Sequence, residues 1–180
     1  VTEMVTGLDL VELQLRVAAG EKLPFTQEDI RWNGWAIECR VYAEDPERNF
    51  FPSPGLITRY DPPHGPGLRL DSGTHAGLTV PIDYDPMLAK LAAWGATREQ
   101  ATERLRAAAQ RFTISGIQTN LSFFAEILTD PAFRNGELHT GFIPDWLQRR
   151  TRPTPSAQQE IVAALIALDQ MEGGHLTRDE

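Results

Sequence analysis

Cysteine is nearly absent: a single Cys39 in 180 residues leaves nothing from which to build an internal disulfide framework. Its alternation with Ile37 and Val41 is the pattern of a buried, chemically quiet thiol. No apolar run approaches the roughly 18 residues of a membrane span, and the start of the chain lacks the basic, apolar and small-residue order of a secretory signal. Both point to a cytoplasmic protein. Positive charge is also short, with 17 Lys and Arg against 25 Asp and Glu and a formal net charge of -8. That balance argues against non-specific nucleic-acid binding and against an anionic membrane surface, yet leaves room for a small basic pocket that takes phosphate or bicarbonate. His64, His75, His139 and His175 are too scattered for a metal site, and no H-x-x-x-H or C-x-x-C spacing occurs. There is no GxGxxG or GxxxxGK phosphate cradle, and Gly65-Pro66-Gly67 puts proline where free backbone donors are needed. Ser53, Ser72 and Ser115 sit in no G-x-S-x-G elbow, and no internal repeat is present.

What the chain does have is enough apolar residue, 41%, to bury a core, at a length that suits one domain plus an appendage. An opening at Val1 without methionine reads as a fragment of something longer. The segment from Trp35 to Tyr42 alternates as a strand and carries Arg40, followed by the acidic turn Ala43-Glu44-Asp45-Pro46. A strand restricts such a side chain, which suits an arginine that meets an anion or a polarised oxygen in fixed geometry; a solvated or salt-bridging arginine is the alternative.

Elsewhere, Asp9 with Glu12 resembles a capping box for a helix with Leu10, Leu13 and Val17 as its buried stripe, ended by Gly20. Short strands are expected at Leu56 to Tyr60, Leu68 to Asp71 and Leu78 to Pro81 between Pro and Gly punctuators, in an antiparallel or mixed sheet. A further strand is expected over Met87 to Trp94, and a helix follows the Thr97 cap to about Arg111. An extended stretch to Gly116 comes next, then a helix from Leu121 to Leu128 capped by Asn120 and stopped at Asp130-Pro131. Tyr84-Asp85-Pro86 forms a turn that could orient an arginine or satisfy local backbone donors. Arg69, between Leu68 and Leu70, points away from its apolar neighbours as an interface salt-bridge partner or an ordinary solvent-facing arginine. Residues 151–180 read as a basic, proline-containing linker and a terminal apolar helix of unknown role.

Several ordered motifs together resemble the C-terminal part of biotin carboxylase, an ATP-grasp enzyme, over roughly Val1 to Arg149. They are Val1-Thr2-Glu3-Met4-Val5-Thr6-Gly7-Leu8-Asp9-Leu10, Gln14-Leu15-Arg16-Val17-Ala18-Ala19-Gly20, Ile37-Glu38-Cys39-Arg40 with Ala43-Glu44-Asp45-Pro46, and Pro52-Ser53-Pro54-Gly55. Ala76-Gly77 with Val80-Pro81, Tyr84-Asp85-Pro86-Met87 and Gly116-Ile117-Gln118-Thr119-Asn120 continue the series. The resemblance implies an α+β fold with a mainly antiparallel sheet and flanking helices. Residues 1–24 would be the last edge of an ATP-grasp domain and residues 25–150 the C-terminal domain.

It further implies an enzyme that uses ATP, with Mg2+ or Mn2+, to activate bicarbonate and carboxylate biotin on a carrier protein. A carboxyltransferase then serves an acyl-CoA or related substrate, as in acetyl-CoA carboxylase and fatty acid biosynthesis. Carried over by motif, Arg40 is catalytic and lies near the biotin ureido oxygen and bicarbonate, Tyr84 and Asp85 support that site, and Arg69 lies at a homodimer interface. The segment at His139-Thr140 approaches the adenine side of the nucleotide. The family's second catalytic arginine, metal-binding carboxylates, bicarbonate base, nucleotide lysines and glycine-rich lid all precede the part matched by Val1, so this chain alone is expected to be inactive. A non-catalytic dimerisation or docking module of the same fold is the alternative.

Overall fold

The computed structural model describes residues 1–150. The expected linker and terminal helix over 151–180 lie outside the described residues. The chain divides into two units, the first running from Val1 to Leu138 and the second starting at His139.

The first unit opens with two helices. α1 (Thr2–Thr6), which the sequence reading did not anticipate, ends at Gly7 in the left-handed region, φ 73°. α2 (Leu10–Ala18) is capped by Asp9, whose Oδ1 accepts the Glu12 N–H at 2.9 Å. The capping box is not reciprocal, because the Glu12 carboxylate instead meets Arg16 one turn on, 2.5 Å away. Gly20 ends the helix at φ 88°, with its N–H on the Val17 carbonyl and the Glu21 N–H on that of Arg16. The expected buried stripe is corrected: no residue of α2 is buried, and Leu10, Val11, Leu15 and Val17 are exposed. Periodicity reports amphipathicity, not whether a partner covers the face.

The central sheet comprises β1 (Trp35–Tyr42), β6 (Leu68–Ser72) and β8 (Met87–Gly95), antiparallel throughout in the order β1-β8-β6. Its register sorts the side chains. Ile37, Cys39 and Val41 face the same side as their partners Ala93, Leu91 and Ala89, and Leu70 joins them opposite Leu91. Leu91, Ala93 and Val41 are fully buried. α3 (Arg98–Arg111) packs on this sheet through Ala101, Leu105, Ala108 and Ala109, and full burial of a leucine such as Leu105 is worth roughly 1.5–3 kcal/mol. The Thr97 hydroxyl accepts the Gln100 N–H at 3.2 Å and starts the helix.

Around the sheet lie three two-stranded ribbons. β2 (Glu44–Asp45) pairs with β3 (Phe51–Pro52), β4 (Gly55–Leu56) with β7 (Thr79–Val80), and β5 (Arg59–Asp61) with β9 (Thr113–Ser115). The single strand expected from Leu56 to Tyr60 is therefore two. Ile57 bonds to Leu78 and Gly77, whereas Thr58 turns to Ser115, so the chain changes partners within two residues. Ile57 is fully buried at that switch, in a second cluster with Ala43, Val80 and Leu88 that Tyr60, Ile114 and Ile117 pack against.

α4 (Leu121–Ile127) follows β9, and α5 (Pro131–Asn135) begins where a stop was expected. Proline cannot continue a helix but suits its first turn, and Asp130 Oδ1 accepts the Ala132 N–H at 2.9 Å as the new cap. Arg134 of α5 pairs with Glu103 of α3 at 2.6 Å. The second unit contains α6 (Phe142–Arg149), preceded by His139, whose Nε2 lies 3.8 Å from Asp145.

Candidate anion-facing site

The sheet's other face is charged. Glu38 and Arg40 alternate with buried Cys39 and Val41, so they project together to the side that the apolar set avoids. Lys90 lies directly opposite Arg40, and Asp71 opposite Lys90; Ala92 lies between Glu38 and Arg69. A row of arginine, lysine and aspartate thus crosses three strands. Lys90 is the one charge in the run Met87 to Gly95, a signal that the sequence reading passed over.

Arg40 has a side chain 64% exposed, and its Nε lies 3.8 Å from Glu38 Oε1. At that separation the pair is loose. Its backbone is held firmly. Asn120 Nδ2 donates to the Arg40 carbonyl at 3.1 Å, and the next residue but one, Tyr42, donates its N–H to Asn120 Oδ1 at 2.9 Å. Asn120 makes no side-chain cap on α4, which corrects the expected role. On the opposite face, burial and then the neighbouring Glu38 charge push the Cys39 thiol well above its ordinary range.

The Tyr84-Asp85-Pro86 turn is stitched to the end of β1, because Ala43 N–H donates to the Pro86 carbonyl at 2.9 Å and Met87 pairs with Tyr42. Asp85 Oδ1 accepts the Met87 N–H at 2.9 Å, which is a local turn bond. Asp85 also lies near Glu44, whose carboxyl is raised first by burial and then by that charge. Tyr84 is 78% exposed. No hydrogen bond or ion pair among the described residues joins Arg40 to Tyr84 or Asp85; the fold brings the turn to the same end of β1 and no nearer.

Arg69 stands elsewhere on this face. It donates from Nε to Asp71 Oδ1 at 2.9 Å and from Nη1 to Glu3 of α1, and these bonds raise its already high pKa further. Both partners belong to the same chain. Among the described residues there is no group of three or more His, Cys, Asp and Glu able to hold a metal ion, and no helix long and apolar enough to cross a membrane.

Fold and face together define an α+β domain whose antiparallel sheet is sealed by a helix on one side and carries fixed charges on the other. Residues 38–145 match the family described as the biotin carboxylase C-terminal domain, and the chain belongs to that family. It is 47% identical over 143 residues to biotin carboxylase 1 of Bacillus subtilis, a match covering 79% of this chain and 32% of that protein. It is 45% identical to the chloroplastic biotin carboxylase of Arabidopsis thaliana, over 91% of this chain and 29% of that one. Among solved structures, the biotin carboxylase domain dimer of Hydrogenobacter thermophilus 2-oxoglutarate carboxylase, in complex with MgADP, ADP and bicarbonate, superposes with a TM-score of 0.82. That comparison has 41% identity and covers 86% of this chain and 34% of that one. The chain spans about a third of the length of these relatives.

Proposed function

We propose that this chain is the C-terminal part of a biotin carboxylase, which carboxylates carrier-bound biotin with ATP and bicarbonate inside an acyl-CoA or related carboxylase. Family membership supports the general reading, and the placement of Arg40 carries the specific one. A guanidinium on a strand whose backbone is pinned, and held by only a loose pair to Glu38, is suited to an oxyanion or a polarised carbonyl, because its planar fork presents several donors in a fixed relative geometry. In this reading Arg40 meets bicarbonate and the ureido oxygen of biotin.

Tyr84 and Asp85 support the site from the end of β1, a reading favoured by the turn bond from Met87 and the Ala43 to Pro86 link. Residues 1–24 form the edge of an ATP-grasp domain and residues 25–150 the C-terminal domain. The exposed apolar face of α2 accords with an element whose packing partners come from elsewhere in the protein. ATP and Mg2+ or Mn2+ are held by residues outside this chain, so the piece alone is inactive. The carrier protein and the carboxyltransferase are partners of the whole enzyme. Arg69 faces a homodimer interface, with its Glu3 and Asp71 pairs keeping the side chain ordered.

Arg40→Ala in the full-length protein tests the assignment. ATP affinity is expected to be retained while biotin-dependent turnover falls at least tenfold; near-normal turnover removes Arg40 from the site.

A further inference from the structure

Asparagine before a helix normally turns its side chain onto the free N–H groups of the first turn. Asn120 occupies that position before α4 and leaves the turn without a side-chain cap. The carboxamide is instead 5% exposed and committed entirely to β1. Its Oδ1 accepts the Tyr42 N–H at 2.9 Å, its Nδ2 donates to the Arg40 carbonyl at 3.1 Å, and its own backbone N–H donates to the Tyr42 carbonyl at 3.3 Å. These β1 groups lie on the edge not taken by β8, since β1 is the outermost strand of the sheet. A carboxamide laid there reproduces the donor and acceptor of a peptide group, so Asn120 serves as a one-residue strand.

Its place along the edge matters more than its burial. The β1–β8 register slips between Val41 and Tyr42, one residue past Arg40. The extra residue, Leu88, belongs to β8, so the β1 ladder is interrupted there, and no strand lies on the outer edge of β1 to hold it. Asn120 brackets the slip by holding residue 40 on one side and residue 42 on the other. A local rule is broken at α4 and the side chain goes to the strand that carries the exposed, loosely paired guanidinium.

We infer that Asn120 is a positioning residue that sets the direction of Arg40 toward its anionic substrate. The inference rests on the reading of Arg40 given above. It requires that Asn120 act on the reaction through Arg40 and in no other way, which a double-mutant cycle in the full-length enzyme can decide.

Asn120→Ala is expected to lower biotin-dependent turnover at least tenfold while the KM for ATP stays within twofold. In an Arg40→Ala background the same change is expected to lower the remaining turnover less than twofold. A residue that only stabilises the fold would reduce activity by the same factor in both backgrounds, and that result overturns the inference. So does Asn120→Ala turnover within twofold of wild type. If the alanine variant is not recovered folded, Asn120→Ser is read by the same cycle, since its hydroxyl can still accept the Tyr42 N–H. Should Arg40→Ala by itself leave turnover near normal, the reading of Arg40 fails first and the inference fails with it; a tenfold loss there with an additive cycle removes Asn120 alone.

Discussion

Arg69 of β6 is ion-paired with Glu3 of α1, 66 residues away in the chain, and Glu3 also accepts the Leu10 N–H at 2.8 Å at the start of α2. One carboxylate therefore ties the two N-terminal helices to the central sheet. Both side chains remain partly solvated, so the tie adds little to the bulk stability of the core.

Acid should release it. The Glu3 carboxyl is held below its ordinary range, first by the Leu10 N–H and then by Arg69. A depressed folded-state value means that the contribution is full above the unfolded carboxylate range and is lost as pH falls through the folded value. Glu3→Gln is expected to flatten the acid limb of Tm against pH below about pH 4.5 while leaving the neutral region nearly unchanged. Thermal unfolding from pH 7 to pH 3 checks this; parallel limbs for the two proteins would count against the tie. Raising salt should weaken the wild-type pair and have less effect on the variant.

Gly116 closes β9 at φ 98°, and a Cβ built there would stand 2.1 Å from the Leu56 carbonyl oxygen and 3.0 Å from the Thr58 nitrogen. These backbone atoms flank Ile57, where the chain changes strand partners, so neither has room to retreat. Gly116→Ala is expected to cost about 3 kcal/mol, combining left-handed strain with the clash. Urea denaturation measures it, and an unchanged midpoint would contradict the close approach.

The fold is legible in the sequence where the deciding forces are local. Trp35 to Tyr42 alternates because one face of β1 is buried and the other charged, and that contrast is written in consecutive residues. Gly95 and the Thr97 hydroxyl cap likewise separate β8 from α3 by local chemistry. The failures came from partners distant in the chain. The exchange at Ile57 depends on Leu78 and Ser115, and no pattern within Leu56 to Tyr60 announces it. Asn120 carries a true cap signal, yet a buried strand edge 78 residues earlier outcompetes the helix end for its amide. Asp130-Pro131 is ambiguous in kind, since a proline that ends one helix also begins the next. At the site, Arg40 was legible from alternation, whereas Lys90 was hidden by the apolar run around it although its charge there was the available clue.

Leu91 lies at the middle of β8, fully buried between Cys39 on β1 and Leu70 on β6. Leu91→Ala removes atoms that three strands and α3 enclose, so the cavity closes poorly, and a loss of about 2–5 kcal/mol is expected. His64→Ala, in the exposed loop between β5 and β6, is the control, expected within about 0.5 kcal/mol. Denaturant titrations of both variants test the contrast; comparable losses would mean that the core is not where the sheet register puts it.

Cys39 reports on the strand that carries Arg40, because the two are adjacent in β1 and face opposite sides. The thiol is 3% exposed, and its pKa is raised by burial and then by Glu38, so the folded state favours the neutral form. An acid whose folded value lies above its unfolded one contributes stability that is full below the unfolded range and lost as pH rises beyond it. Stability should therefore fall as pH climbs past about 9, and Cys39→Ala should remove that part of the alkaline limb, apart from a constant packing loss. Reaction with an aromatic disulfide reagent at pH 8 is expected to be slow in the native protein and fast in denaturant. Because Asn120 holds the β1 edge at residues 40 and 42, Asn120→Ala should also quicken labelling under native conditions, while His64→Ala should not. Rapid labelling of the wild-type chain without denaturant would show that β1 opens readily, and that would remove the rigid backbone on which the aim of Arg40 depends.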